Sequence, residues 1–225
     1  MVSNCTSPSI LLAFFSVFFF GCRSAEVVAP PKEVECYVRY LKPEGHWFAE
    51  VAIRQRDSTI EVPDGVRYGG VLMQTVPLSN GVVYRSEGKG AYAAEHTFSW
   101  NDEKGQPQMI TLRMPSATDL SFGSKILSLK KSATLRWQGP PVMSDEVWVI
   151  LWEKIDRSST QPLEVVTAAG LDYIEFPAAQ LNKLGSGTWT YYVVRKRAFQ
   201  QEKPGYLFKG VAEYYTDVDT VEFRK

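Results

Sequence analysis

From Val34 onward the chain alternates. Val34, Cys36, Val38 and Tyr40 share one parity, and Glu35, Tyr37 and Arg39 the other, which is the period of two of a half-buried strand. Lys42-Pro43-Glu44-Gly45 then reads as a turn. Trp47, Ala49, Val51 and Ile53 alternate against His46, Glu50 and Arg54, and the two runs together predict a hairpin. A short strand is expected at Thr59–Val62, before the Pro63-Asp64-Gly65 turn. Further strands are predicted at Gly70–Val76, Val82–Glu87, Tyr92–Trp100 and Met109–Met114, the last two flanking the polar loop NDEKGQP. No stretch of this half carries a sustained apolar period of 3.6.

Past Asp119 the pattern restarts. Strands are predicted at Lys125–Leu129, Ala133–Trp137, Glu146–Glu153, Leu163–Thr167, Asp172–Phe176, Thr188–Arg197 and Leu207–Asp217, with a short one at Val221–Phe223. Ala178–Leu184 is the best helical candidate. Short strands separated by Gly, Pro, Asn and Asp turns point to sandwiches or barrels, and each half has an ordinary domain size. The expected fold class is all-β, with two β-sandwich domains in tandem over residues 33–118 and 119–225.

Three segments of the second half add a resemblance. ATLRWQGPP (Ala133–Pro141), DEVWVILWEK (Asp145–Lys154) and LNKLGSGTWTYYVVRKR (Leu181–Arg197) resemble strands of immunoglobulin/fibronectin type III-like modules, where a Trp anchors the core and prolines follow. The resemblance implies an Ig/FnIII-like C-terminal sandwich. It implies no activity, because such folds host many functions.

Ahead of the strands lies a different pattern. Ile10–Phe20 is an uninterrupted apolar stretch of eleven residues, whereas a bilayer-spanning helix needs about 20. It suits the core of a secretion signal, although Met1–Ser9 holds no Lys or Arg. Cleavage after Ser24 would place Cys22 and Ser24 at the small-residue positions of an ordinary signal. Phe19-Phe20-Gly21-Cys22 also resembles the lipobox of bacterial lipoprotein signals. That resemblance implies a signal peptide over residues 1–21, diacylglycerol on the Cys22 sulfur and a Pro-containing tether over 22–32. Membrane anchoring through an N-terminal lipid follows, in the cell envelope at the outer membrane or facing the periplasm. A secreted or periplasmic protein is the alternative.

Charge and composition then exclude more than they assign. The 25 basic and 25 acidic side chains cancel, so no global field steers the chain to nucleic acid. Only two histidines are present, His46 and His96, too few for a multi-histidine metal site. His96 shares a face with Tyr92, Ala94, Phe98 and Trp100 and reads as a core or interface histidine. His46 lies on the polar side of its strand. Cys36 sits on the apolar parity as an inert thiol. Asn101, Asp102 and Glu103 in one loop, and Asp217 with Asp219, read as solvated turns, because neither has the spacing of a calcium loop. Arg195-Lys196-Arg197 is the tight basic cluster and reads as a solvated strand end. No GxSxG, P-loop, CxxC or dinucleotide fingerprint is present. Neither a metal nor a cofactor is expected.

One strand breaks the expected pattern of a single wet face. In Glu146–Glu153, Val147, Val149 and Leu151 take one parity while Trp148, Ile150 and Trp152 take the other. Trp148 and Trp152 are therefore candidates to be covered by the first domain, by a partner, or by a stacked sugar ring. The functional expectation is a non-catalytic envelope lipoprotein used for binding, adhesion or assembly, with a protein or a glycan as partner. A carbohydrate-binding accessory lipoprotein of a glycan-uptake system is one alternative, and a hydrolase with an unrecognised site is another.

Overall fold

The computed structural model describes residues 30–225 apart from 157 and 166–168. The order along the first half is β1 (Lys32–Leu41), β2 (His46–Gln55), β3 (Ser58–Thr59), β4 (Arg67–Tyr68), β5 (Val71–Leu72), β6 (Gln74–Leu78), β7 (Gly81–Lys89), β8 (Glu95–Asn101) and β9 (Pro107–Arg113). The second half adds β10 (Thr118–Ser121), β11 (Ile126–Ser128), β12 (Ala133–Gln138), β13 (Glu146–Lys154), β14 (Thr160–Val165), β15 (Tyr173–Phe176), β16 (Gly187–Lys203), β17 (Tyr206–Tyr215) and β18 (Asp219–Arg224). A 3-10 turn spans Lys42–Glu44, and the short α-helix α1 (Ala178–Leu181) falls within the segment expected to be helical. The fold is all-β.

Three sheets make two sandwiches. The large sheet runs β11-β18-β16-β17-β1-β2-β7-β6, with β13 and β14 continuing from β16 and β3 added to β2. A four-stranded sheet, β5-β4-β8-β9, packs on it in the first half, and a three-stranded sheet, β10-β12-β15, in the second. In the second half, three strands thus face β14-β13-β16-β18, the layering of an Ig/FnIII-like module.

The first core is closed by aromatic and aliphatic contacts. Trp100 of β8 meets Tyr206 and Phe208 of β17, with ring centroids 6.4 and 6.2 Å apart. Tyr92 meets Tyr40 and Tyr214 edge-on at 5.7 and 5.4 Å. Leu112 of β9 seats over Gly210, where a Cβ would lie 2.5 Å from its Cδ2. Glycine at 210 is therefore a packing requirement for the close approach of the two sheets.

The large sheet does not stop at the boundary expected near residue 118. β1 pairs with β17 in parallel from Lys32↔Tyr206 to Leu41↔Tyr215. The reason is the length of β16. It was expected to end at Arg197, but it continues to Lys203 and returns as β17 through a Pro204-Gly205 turn, with Gly205 at φ 78. The near part of this hairpin pairs with β13 and β18 in the second sandwich. The far part supplies β17 to the first core. Both small sheets pack on the same side of the large sheet, and among the described residues its opposite face is left open.

Candidate functional site

Trp148 and Trp152 are each fully buried, and this corrects their assignment as ligand or partner residues. They point from β13 toward the three-stranded sheet. Trp148 packs on Trp137, with centroids 4.3 Å apart. Trp152 sits among Phe122, Tyr191 and Phe223 at 5.8, 5.1 and 5.6 Å. Their own module covers them, so neither indole is open to a sugar ring, a partner or the first domain. The alternation in this strand was legible, but the parity facing outward is Val147, Val149 and Leu151, all half-buried.

Arg195 is a second correction. Within the supposed solvated cluster it is buried at 0 % exposure. It donates to Glu146 through Nε and Nη2 at 2.9 and 2.7 Å. It also donates to the Ser116, Pro140 and Pro141 carbonyls at 2.9, 2.9 and 2.7 Å. Lys196 and Arg197 do reach the surface, where Arg197 meets Asp145 at 2.9 Å.

The other candidates sit as their patterns implied. His96 is buried, and its Nδ1 pairs with the Tyr68 hydroxyl. Burial lowers its pKa, partly offset by the Ala93 carbonyl. The Tyr68 and His96 rings are within 10° of parallel at 5.9 Å. With the hydroxyl aimed at the ring nitrogen, they lie edge to edge in one plane. His46 is half-buried, 4.0 Å from Glu87. Cys36 is a buried free thiol whose pKa is pushed up by burial. Asp102 closes its own turn by accepting from the Lys104 and Gln106 amides. Asp217 pairs with Lys42, and Asp219 with Lys125 and the Tyr191 hydroxyl. Among the described residues, no three His, Cys, Asp or Glu side chains are grouped to hold a metal ion, and no helix is long and apolar enough to cross a membrane. Cys22 lies outside the described residues.

The open face of the large sheet brings together residues that are far apart in sequence. Register places Val149 beside Val194 and Leu151 beside Tyr192. It places Tyr215 beside Val194 and Glu213 beside Lys196. On the other side of β17, Val211 meets Tyr37 and Glu213 meets Arg39, and Arg39 in turn lies opposite Phe48. The result is an apolar and aromatic band five strands wide, from β13 to β2. Beside it the face curves into a trough of about 530 Å³, floored by Ala52 and Val83. Ion pairs line the trough, Glu35 with Arg54 at 2.8 Å, Glu50 with Arg85 at 2.6 Å, and Glu33 with Lys209.

At the centre of the band, Glu213 is fully engaged. Its Oε2 accepts from the Tyr37 and Tyr215 hydroxyls at 2.7 and 3.0 Å, and its Oε1 lies 3.4 Å from Lys196. Burial raises the Tyr37 pKa, and the bond to Glu213 raises it further. Burial also pushes Tyr215 up to about 12, with Glu213 adding to the rise. Both phenols are thus protonated donors at neutral pH. Arg39, across the ladder from this carboxylate, turns instead over the Phe48 ring at 5.1 Å. Its buried Nε has no hydrogen-bond partner among the described residues. The sequence carried a signal for this band, because Tyr37 and Phe48 are aromatic residues on the polar parity of their strands.

No protein-family model matches the chain, and no curated protein does. Among solved structures it is similar to a tetra-tandem repeat from the extending region of a large adhesion protein, at 11 % identity and a TM-score of 0.29, covering 83 % of this chain and 49 % of that one. It is also similar to the FN1–FN3 domains of chicken CNTN1, at 11 % identity and a TM-score of 0.26, covering 87 % and 66 %. The chain thus spans about half the length of the first of these structures.

Proposed function

We propose that this chain is a non-catalytic cell-envelope lipoprotein that serves as a binding, adhesion or assembly module. The observation that supports binding is the open face. A sheet covered on one side by two small sheets leaves a contiguous band of half-buried apolar and aromatic side chains on the other, and a contiguous apolar patch rimmed by polar residues marks an interaction surface. Lipid on Cys22 and a tether over 22–32 rest on the sequence pattern. They hold this face near a membrane without a spanning helix. The glycan-binding alternative loses Trp148 and Trp152 as a stacking platform.

Two measurements test the reading. Labelled fatty acid should be incorporated into wild type and not into Cys22→Ala; absence of label from wild type overturns the anchor. A photo-crosslinking amino acid at Leu151 or Tyr192 should give discrete protein adducts in the native envelope. The same group at Met109, which is 59 % exposed on the outer side of the four-stranded sheet, should not. Equal adducts from all three positions, or none from the open face, overturn the binding module.

A further inference from the structure

Arg39 is the feature of the open face that the fold itself leaves unexplained. The carboxylate in register with it, Glu213, is held by two tyrosine hydroxyls and Lys196. Of the other ionic side chains described on this face, Glu33, Glu35, Glu50, Arg54, Arg85 and Lys209 are paired with one another, Glu87 lies 4.0 Å from His46, and Lys89 stands exposed across from His46. Arg39 lies over the Phe48 ring with a half-buried side chain and an Nε that has no partner among the described residues. A guanidinium offers five donors in a planar fork suited to a carboxylate. One held on an aromatic ring has lost part of its conformational freedom beforehand, so less is lost when a partner arrives.

We propose that the open face docks a protein partner that presents an Asp or Glu carboxylate to Arg39, with apolar side chains around it seated on Tyr37, Phe48, Val211, Tyr215 and Tyr192. This rests on the binding-module reading and names the chemistry of the partner. The charge complement is what selects a carboxylate. The breadth of the band selects a protein, because the half-buried Val149, Leu151 and Val211 offer aliphatic surface that suits apolar side chains and gives a hydroxyl-rich glycan nothing to bond. The surrounding apolar contacts exclude water from the pair, and a charge pair gains most where water is excluded.

The test uses the full-length chain in its native envelope, with the photo-crosslinker at Tyr192 or Leu151. Arg39→Glu and Arg39→Met should lower adduct yield by about tenfold or more, as truncation of one member of a desolvated charge pair does. Arg39→Lys should retain part of it. Near-ultraviolet circular dichroism and the unfolding midpoint of each variant should match wild type, which separates lost docking from lost fold. The crosslinked partner peptide should map beside an Asp or Glu, and changing that residue to Arg should restore the adduct with Arg39→Glu. If adducts form in wild type and persist undiminished in folded Arg39→Glu, the carboxylate inference is wrong while the binding module stands. If wild type gives no protein adduct, as with a glycan on this face, both fall. An adduct to this chain's own residues, in cis or from a second copy, also overturns the proposal.

Discussion

Arg195 and Glu146 form an ion pair in which both side chains are at 0 % exposure, with Nη2 2.7 Å from Oε2. The guanidinium stacks over Trp148 at 4.9 Å, and its remaining hydrogens go to carbonyls at Ser116, Pro140 and Pro141. One side chain thus ties β16 to the stretch between the halves and to the β12–β13 loop. Burial lowers the Arg195 pKa, and the neighbouring Glu146 partly offsets that.

Removing one member should be costly because it strands the other. Arg195→Met leaves Glu146 and three carbonyls without their donor, and is expected to lower stability by about 3–5 kcal/mol in urea unfolding. Arg195→Met with Glu146→Leu should lose less than the sum of the two single changes. An Arg195→Met protein as stable as wild type would show that the pair is not structural.

The burial of Trp152 makes it a core residue in energetic terms. Trp152→Ala should cost about 3–5 kcal/mol, and Trp152→Phe distinctly less, because Phe122, Tyr191 and Phe223 can close on the smaller ring. Stability measured by denaturant midpoint separates the two. Equal, small losses would place the indole outside the core.

Gly210 sets the distance between the two sheets of the first sandwich. Gly210→Ala drives a methyl group to within 2.5 Å of the Leu112 side chain. Overpacking of this kind costs about 1–3 kcal/mol. In a Leu112→Ala background the added methyl should cost much less, since the atom it meets is gone. A similar loss in both backgrounds would locate the strain elsewhere.

His96 makes the first sandwich sensitive to acid. Its folded pKa is lowered by burial, so the unfolded chain binds the proton more readily. The stabilising contribution is present above the unfolded value of about 6.5 and is lost as pH falls through the folded value. The thermal midpoint should therefore drop between pH 7.5 and pH 5, and His96→Gln should flatten that part of the profile, both read by scanning calorimetry across a pH series. An unchanged slope in His96→Gln would assign the acid sensitivity to other groups.

Much of the local structure was legible. The alternation over Val34–Tyr40 and Trp47–Ile53 gave β1 and β2 with the inward sides correct, because a half-buried strand writes its two faces into the sequence directly. Turn residues at 42–45 and 101–107 fixed the breaks. The extension of β16 past Arg197 was not legible. Phe199, Gln200, Gln201 and Glu202 are half-buried or exposed, and their pairing depends on β17 alone at one edge. Arg195 could not be found either, since a basic triplet at a strand end looks the same whether its first side chain meets water or a buried glutamate.

What the sequence determined by itself was local: the all-β class, the positions of most strands and turns, and the parity of strands such as β1, β2 and β13. Period two divides side chains between two faces but is symmetric under their exchange. Only the tertiary structure decided that the tryptophans of β13 face the core and its aliphatic residues the open side. It also decided which strand lies beside which. The parallel pairing of β1 with β17 joins residues more than 170 positions apart, and such partners are chosen by packing across the whole molecule, which no local window records. The open face, and the Arg39 that has no ion-pair partner on it among the described residues, exist only because that pairing makes one sheet of the two halves.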